Sequence, residues 1–142
     1  CCYIIDLIFD MKQLRGKKVK KFFKDFPKRD KEIVLVLENI QYATNVGNMF
    51  RTAESAGVSK IYLTGISKTP PFGKDLKKVS RSAENKVRWE YADSTLNLIH
   101  RLKEEGFYLL AVELVDEALL LKDLKDHVKD KAKVCFIVGN ED

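Results

Sequence analysis

The chain has 142 residues, of which 45% are hydrophobic and 33% charged, and its formal net charge is +5. This size suits one hydrophobic core, and no apolar run approaches the roughly 20 residues that span a bilayer. Three cysteines and two histidines, without CxxC or Cys/His spacing, argue against a disulfide framework and against a metal site. No secretory signal pattern is visible, so we expect a soluble, cytoplasmic protein without a membrane partner.

Residues 1–31 are predicted to be an N-terminal extension that carries a basic arm. Within it, residues 12–31 hold ten lysine or arginine residues against two aspartates, and the rest of the chain is mildly acidic. A basic arm on an acidic body favours a polyanionic partner, with nucleic acid as the first candidate. The alternative is a solvated lysine-rich segment without a partner. The candidate RNA-binding residues of the arm are Lys17, Lys18, Lys20 and Lys21.

Residues 32–142 are predicted to fold as a domain in which apolar strands alternate with helices. The predicted strands are residues 33–37 (IVLVL), 60–64 (KIYLT), 87–91 (VRWEY), 107–114 (FYLLAVEL) and 134–138 (VCFIV). The predicted helices cover residues 45–57, 76–84 and 94–105, with a loop at 65–75 and a loop or helix at 118–131. Such continuous apolar strands are typical of buried parallel sheets. The pattern therefore predicts an α/β fold, a mainly parallel sheet with helices on both faces.

Polar residues follow two of these strands, at the sheet edge where open α/β folds bind ligands. After the first strand, Asn45 is predicted to cap the helix that carries Arg51, and Gly47 would leave the helix start open to a ligand. The free amide groups of a helix start suit a phosphate. They also disfavour a nearby cation, so an anionic ligand would explain Arg51. The alternative is that Arg51 pairs with Glu54 or Glu38.

The segment NVGNMFRTAESAGVSKIYLTG resembles the first motif of SpoU/TrmH-type RNA 2′-O-ribose methyltransferases, in the SPOUT superfamily. Its motif positions are occupied by Asn45, Gly47, Arg51, Thr52, Ala53 and Gly57. VSRSAENKVRWEY is similar to the family's middle section, and FIVGNE resembles the start of the second motif, with Gly139 and Glu141. The third motif, which completes a trefoil knot in that family, is not in this sequence. Either the chain is a fragment or the parent protein has lost its cofactor half. We expect the first, a C-terminally truncated fragment that is inactive by itself.

The resemblance implies a methyltransferase that uses S-adenosyl-L-methionine to methylate a ribose 2′-hydroxyl in structured RNA, either tRNA or rRNA. It implies that Arg51 and Asn45 are catalytic, that Gly139 and Glu141 border the cofactor, and that the enzyme works as a homodimer. Arg81, in the middle section, is a further RNA-binding candidate. A non-catalytic RNA-binding α/β module stays open as an alternative. A doubly wound nucleotide-binding domain is weaker, since neither GxGxxG nor GxxxxGK[ST] is present.

Overall fold

The computed structural model describes Lys17 and residues 30–113, 115–116 and 118–140, without the side chain of Asp75. The chain divides into two units, residues 1–30 and 31–142, and the described part of the first consists of Lys17 and Asp30. Within the described ranges, no helix has the length and apolarity that a membrane span requires. The predicted site residues outside the description are Lys18, Lys20, Lys21 and Glu141.

Five parallel strands form one sheet in the order β3-β2-β1-β5-β4. The strands are β1 (Glu32–Glu38), β2 (Lys60–Thr64), β3 (Arg88–Ala92), β4 (Tyr108–Val112) and β5 (Lys133–Val138). Central strand β1 pairs on both sides, so that Leu37 lies opposite Leu63 of β2 and Val138 of β5. The predicted parallel α/β sheet is confirmed, and each strand lies within about two residues of its predicted bounds.

In the described chain, one helix follows each of the strands β1 to β4. The helices are α1 (Ala43–Ala56), α2 (Lys74–Ser80), α3 (Thr95–Glu104) and α4 (Leu124–Val128), with 3-10 turns at Ala83–Asn85 and Leu121–Asp123. Gly57 ends α1 in the left-handed region, with φ of 70°, as its position predicted. Ser94 caps α3 by accepting a hydrogen bond from the amide of Asn97 at 3.2 Å.

The prediction that Asn45 caps α1 is wrong. The cap is Tyr42, and it contributes no side-chain hydrogen bond. The amides of Asn45 and Val46 both donate to the carbonyl of Tyr42, at 2.9 and 3.3 Å. The helix has therefore begun before Asn45. Asn45 is therefore the third residue of the helix rather than its cap.

Both faces of the sheet are covered, and each has its own apolar core. On one face, side chains of α1 pack on β1 and β2; the core there includes Val46, Phe50, Ala53, Leu37, Ile61 and Leu63. On the other face, α3 packs on β1 and β5; that core includes Leu98, Leu102, Val34, Val36 and Cys135. Alternate residues of β1 point to opposite cores, as a strand buried on both faces requires. The predicted helices on both faces are confirmed.

Candidate active site at the carboxyl ends of β1 and β5

The strand order reverses between β1 and β5. From β1 the chain moves through β2 to β3 on one side, whereas β5 and β4 lie on the other side. In open α/β sheets the crevice at such a reversal, outside the carboxyl ends of the strands, is where ligands bind. A groove of about 410 Å³ lies at this place, and its volume is within the range of small-molecule sites.

This groove brings the two predicted polar corners together. Its lining residues are Ile40, Tyr42, Asn45, Asn48, Met49, Val138, Gly139 and Asn140. Asn45 and Gly139 are 94 positions apart in sequence, and both line this groove. An added Cβ at Gly139 would meet no atom within 4 Å, so this part of the groove is open. The groove thus combines an apolar wall with asparagine side chains, as in sites that hold a ligand with both apolar and polar parts.

A buried serine holds the loop that leads from β1 into α1. The hydroxyl of Ser67 donates to the carbonyl of Leu37 at 3.0 Å and accepts from the amide of Ile40 at 2.9 Å. Nearby, the side-chain oxygen of Asn39 accepts from the amide of Ile66 at 3.3 Å. Neither Ser67 nor Asn39 could be identified from the local sequence, because each acts on residues that are distant along the chain.

The side chain of Asn45 is exposed at the groove and makes no hydrogen bond with any residue that the structure describes. Because α1 begins without a side-chain cap, its first turn also keeps amide groups that have no partner inside the helix. The side-chain amide group of Asn45 is therefore available to a ligand in the groove. It does not cap the helix as predicted.

The expectation that Gly47 opens the helix start to a ligand is wrong. Gly47 is buried, and a Cβ added there would lie 3.4 Å from Cγ1 of Val79 and 3.7 Å from the amide nitrogen of Ser80. Both neighbours belong to α2, so the glycine allows α1 and α2 to approach each other closely. Its role in this fold is helix packing.

Arg51 lines a second groove, of about 340 Å³, together with Asn48, Thr52 and Ser55. Asn48 borders both this groove and the first one. The exposed guanidinium of Arg51 makes no ion pair or hydrogen bond within the described part of the chain. The alternative pairing with Glu54 or Glu38 is not found, since Glu54 pairs with Lys86 at 2.5 Å.

The expectation that Arg51 lies at the positive end of α1 is wrong. Because α1 begins at Ala43, Arg51 lies eight residues later, about 12 Å along the axis at 1.5 Å per residue. The macrodipole acts mainly on the first and last turns of a helix, so it neither favours nor disfavours a cation here. No described carboxylate neutralises Arg51. Arg51 and Asn45 line separate grooves rather than one.

The other described RNA-binding candidates are both exposed. Arg81 is exposed at the C-cap of α2, with φ of 51°, and it lines neither groove. Lys17 is exposed as well. Glu141, which was expected to border the cofactor, follows Asn140 directly but lies outside the described residues.

Solved structures with similar folds include RNA-modifying enzymes. The A. aeolicus TrmH/SpoU tRNA modifying enzyme matches with a TM-score of 0.66 at 22% identity, over 88% of this chain and 60% of that one. An RNA 2′-O ribose methyltransferase matches with a TM-score of 0.64 at 19% identity, over 82% and 42%. The SpoU methyltransferase AviRb from Streptomyces viridochromogenes was solved in complex with the cofactor AdoMet. It matches with a TM-score of 0.61 at 12% identity, over 82% of this chain and 46% of that one.

At these identities the likeness concerns the fold, and the chain spans between 42% and 60% of the length of the three proteins. Among curated proteins, none matches the chain. The SpoU rRNA Methylase family, in contrast, matches residues 32–142. This match includes all five strands and the residues of both grooves. The chain therefore belongs to the SpoU rRNA methylase family.

Proposed function

We propose that the natural protein containing this chain methylates a ribose 2′-hydroxyl in a structured RNA, either tRNA or rRNA, with S-adenosyl-L-methionine as methyl donor. The observation that carries the proposal is the arrangement at the strand reversal. Asn45 and Gly139 line one groove, and the unpaired Arg51 lines the adjoining groove across Asn48. Membership of the SpoU family supports the reaction class. A fold shared with an RNA 2′-O ribose methyltransferase agrees with it.

The first groove fits S-adenosyl-L-methionine in size and lining. Its volume of about 410 Å³ and its apolar residues Ile40, Met49 and Val138 suit an adenosine. The open space at Gly139 gives room beside β5, and we propose that Glu141 borders the cofactor too. When bound, S-adenosyl-L-methionine supplies a methyl group that is activated by a positively charged sulfur. We propose that the side chains of this groove hold the cofactor and exclude water from it.

In this account Arg51 acts on the RNA. The 2′-hydroxyl would give up its proton to bulk water, which leaves negative charge on its oxygen. That oxygen would form a bond to the methyl carbon while the bond from this carbon to the cofactor sulfur breaks, and a neutral thioether would leave. A guanidinium is protonated at any ordinary pH and is a poor base, but it donates hydrogen bonds in a planar fork. Arg51 would hold a neighbouring phosphate and stabilise the charge on the oxygen. The amide group of Asn45 would orient the ribose, a positioning role that lowers the barrier without proton transfer.

The separation of the two grooves bears on how a complete site forms. Asn45 and Arg51 lie on different sides of α1, and each lines its own groove. Two copies of the chain could bring the Arg51 groove of one copy to the Asn45 groove of the other. We therefore propose that the enzyme works as a homodimer, in which one subunit supplies Arg51 and the other holds the cofactor.

RNA affinity would come from further cations of the chain. We propose that Lys17, Lys18, Lys20 and Lys21 of the basic arm contact phosphates, together with Arg81. Such contacts release counterions, so binding should weaken steeply as salt concentration rises. A cytoplasmic location agrees with a tRNA or rRNA substrate and is part of the same proposal.

The position of the methyl group tests the reaction. The complete natural protein is incubated with unmodified RNA and S-adenosyl-L-methionine labelled in its methyl group, and the RNA is then hydrolysed in alkali. A 2′-O-methyl group blocks cleavage of the adjacent phosphodiester, so the proposal expects the label in alkali-resistant dinucleotides. Label released in mononucleotides would indicate base methylation and would contradict it.

A non-catalytic RNA-binding α/β module is the second candidate, and the exposed cations Arg81 and Lys17 are compatible with it. It predicts that the complete protein binds RNA but transfers no methyl group. A separate titration concerns the 142-residue chain, which is expected to be inactive alone because the third family motif is not in its sequence. Calorimetry with S-adenosyl-L-methionine should show no binding, and tight binding would contradict that expectation.

A further inference from the structure

Two consecutive residues after α2 have left-handed backbones, although neither is glycine. Arg81 has φ of 51° and ψ of 38°, and Ser82 has φ of 61° and ψ of 24°. A side chain destabilises this conformation, and glycine is the usual residue at a left-handed helix end. Strain of this kind persists only where surrounding contacts enforce it, and it is concentrated at functional sites.

The contacts that enforce this turn are buried beneath it. Ser80 is fully buried, and its hydroxyl donates to a carboxylate oxygen of Glu84 at 2.6 Å. The same hydroxyl accepts from the amide of Ser82 at 3.3 Å. The carbonyl of Ser82 accepts from the amide of Asn85 at 3.1 Å. Glu84 is itself only 6% exposed, so a buried carboxylate and a buried hydroxyl determine the path of Arg81 and Ser82.

Nothing in the described fold explains why an arginine occupies this position. Its side chain is exposed and makes no ion pair or hydrogen bond with a described residue. A cation is favoured at the C-terminus of a helix, but only weakly when it is exposed to solvent. Glycine would relieve the backbone strain without losing any contact that the structure shows. Within the described residues, the guanidinium therefore has no structural partner.

The turn lies beside the seam between α1 and α2, on the side of α1 that carries Arg51. Gly47 of α1 faces Val79 and the amide of Ser80, so the end of α2 lies against this part of α1. Arg51 follows Gly47 by four residues and is thus on the same side of that helix. Arg81 directly follows Ser80. Two arginines without a described partner therefore flank one seam.

We propose that Arg81 binds a phosphodiester of the RNA backbone beside the Arg51 groove, with its guanidinium presented by the left-handed turn that follows α2. Ser80 and Glu84 are its positioning residues. The proposal rests on the proposed function for its ligand, and it adds a backbone device that holds one cation in a fixed direction. A preformed turn loses less conformational entropy on binding than a flexible lysine does.

The test compares two glycine substitutions in the complete natural protein. Arg81→Gly and Ser82→Gly each relieve the strain of one residue with a left-handed backbone, but only Arg81→Gly removes the cation. Binding of bulk tRNA and of ribosomal RNA is measured over a series of salt concentrations. Arg81→Gly should weaken binding roughly fivefold to tenfold and reduce the slope of log K against log salt by about 1. Ser82→Gly should bind within about twofold of the parent, and Arg81→Lys should restore the slope.

Thermal unfolding separates a binding role from a structural one. Neither glycine variant should unfold at a lower temperature than the parent. A lower unfolding temperature for Arg81→Gly alone would show that the side chain serves the fold, and it would overturn the proposal. Unchanged RNA affinity and salt slope in Arg81→Gly would overturn it as well. If Arg81→Gly loses affinity while the parent transfers no methyl group, this inference stands and the proposed enzyme activity fails.

Discussion

The side-chain oxygen of Asn39 occupies the space that a Cβ at residue 65 would need: an ideal Cβ on Gly65 would lie 1.8 Å from it. The same oxygen accepts from the amide of Ile66 at 3.3 Å, and the amide of Asn39 donates to the carbonyl of Thr64 at 3.3 Å. The loops that follow β1 and β2 are therefore joined at their first residues. This joint holds the chain where it turns from β1 toward α1 and the first groove.

Gly65→Ala should be strongly destabilising. Gly65 has φ of 59°, where a side chain is strained, and the added Cβ would collide with Asn39. We expect the free energy of unfolding to fall by about 2 to 4 kcal/mol. Urea denaturation measures it. Gly73→Ala is the control, because Gly73 has φ of −61° and an added Cβ there meets no atom within 4 Å. Equal losses in the two variants would show that the contact with Asn39 is unimportant.

Ser67→Ala should destabilise the loop between β1 and α1. The amide of Ile40 loses its acceptor, and the carbonyl of Leu37 loses a donor, in a place where Ser67 is only 5% exposed. We expect a loss of about 1 to 3 kcal/mol in the free energy of unfolding. Ser55→Ala is the matched control, since its exposed hydroxyl donates only to the carbonyl of Arg51 in the same helix. A Ser67 variant as stable as the Ser55 variant would contradict the assigned role of this hydroxyl.

The stability of the fold should depend on the ionisation of Glu90. Hydrogen bonds from Lys60 at 2.6 Å and from Arg101 at 3.0 Å lower the pKa of the Glu90 carboxyl below its ordinary value. The folded state then releases this proton more readily than the unfolded state does. The resulting stabilisation is complete above the unfolded pKa, near 4.5, and is lost as the pH falls through the folded pKa.

Thermal unfolding at a series of pH values measures this effect. Between about pH 6 and about pH 3, the parent should lose more stability than Glu90→Gln does. The difference between parent and variant should be smaller at high salt, because the Lys60–Glu90–Arg101 cluster is partly exposed and its charges are therefore screened. Identical pH profiles of parent and variant would show that the Lys60–Glu90–Arg101 cluster contributes no pH-dependent stability.

The sheet could be predicted because its cause is local. Residues 33–37 and 134–138 are continuous apolar runs, and a strand buried on both faces leaves that pattern in its own sequence. The ends of α1 show the contrast. Gly57 was predicted correctly, since a left-handed helix end favours glycine directly. The helix start was placed two residues late, because Tyr42 caps through its backbone and has no cap-forming side chain.

The candidate site could be predicted only in part. The resemblance to a family motif identified Asn45, Arg51 and Gly139, and the structure places the first and the last in one groove. Gly47 was misassigned because its neighbour Val79 lies on another helix, and the sequence around Gly47 does not show which helix packs against it. Ser67 was missed for the same reason, since it acts on Leu37 and Ile40 across the sheet edge. Contacts between distant segments leave no local signal.

Substitution of Arg51 tests the central claim most directly. Arg51 is exposed and has no described partner, so Arg51→Ala should leave the unfolding temperature of the complete protein unchanged. Loss of a positioned donor at a developing charge should lower the single-turnover rate of methyl transfer to RNA by roughly 100-fold or more. Arg88→Ala, at the opposite end of the sheet, is the control and should keep the parental rate. A folded Arg51→Ala variant that transfers methyl groups as fast as the parent would contradict the account.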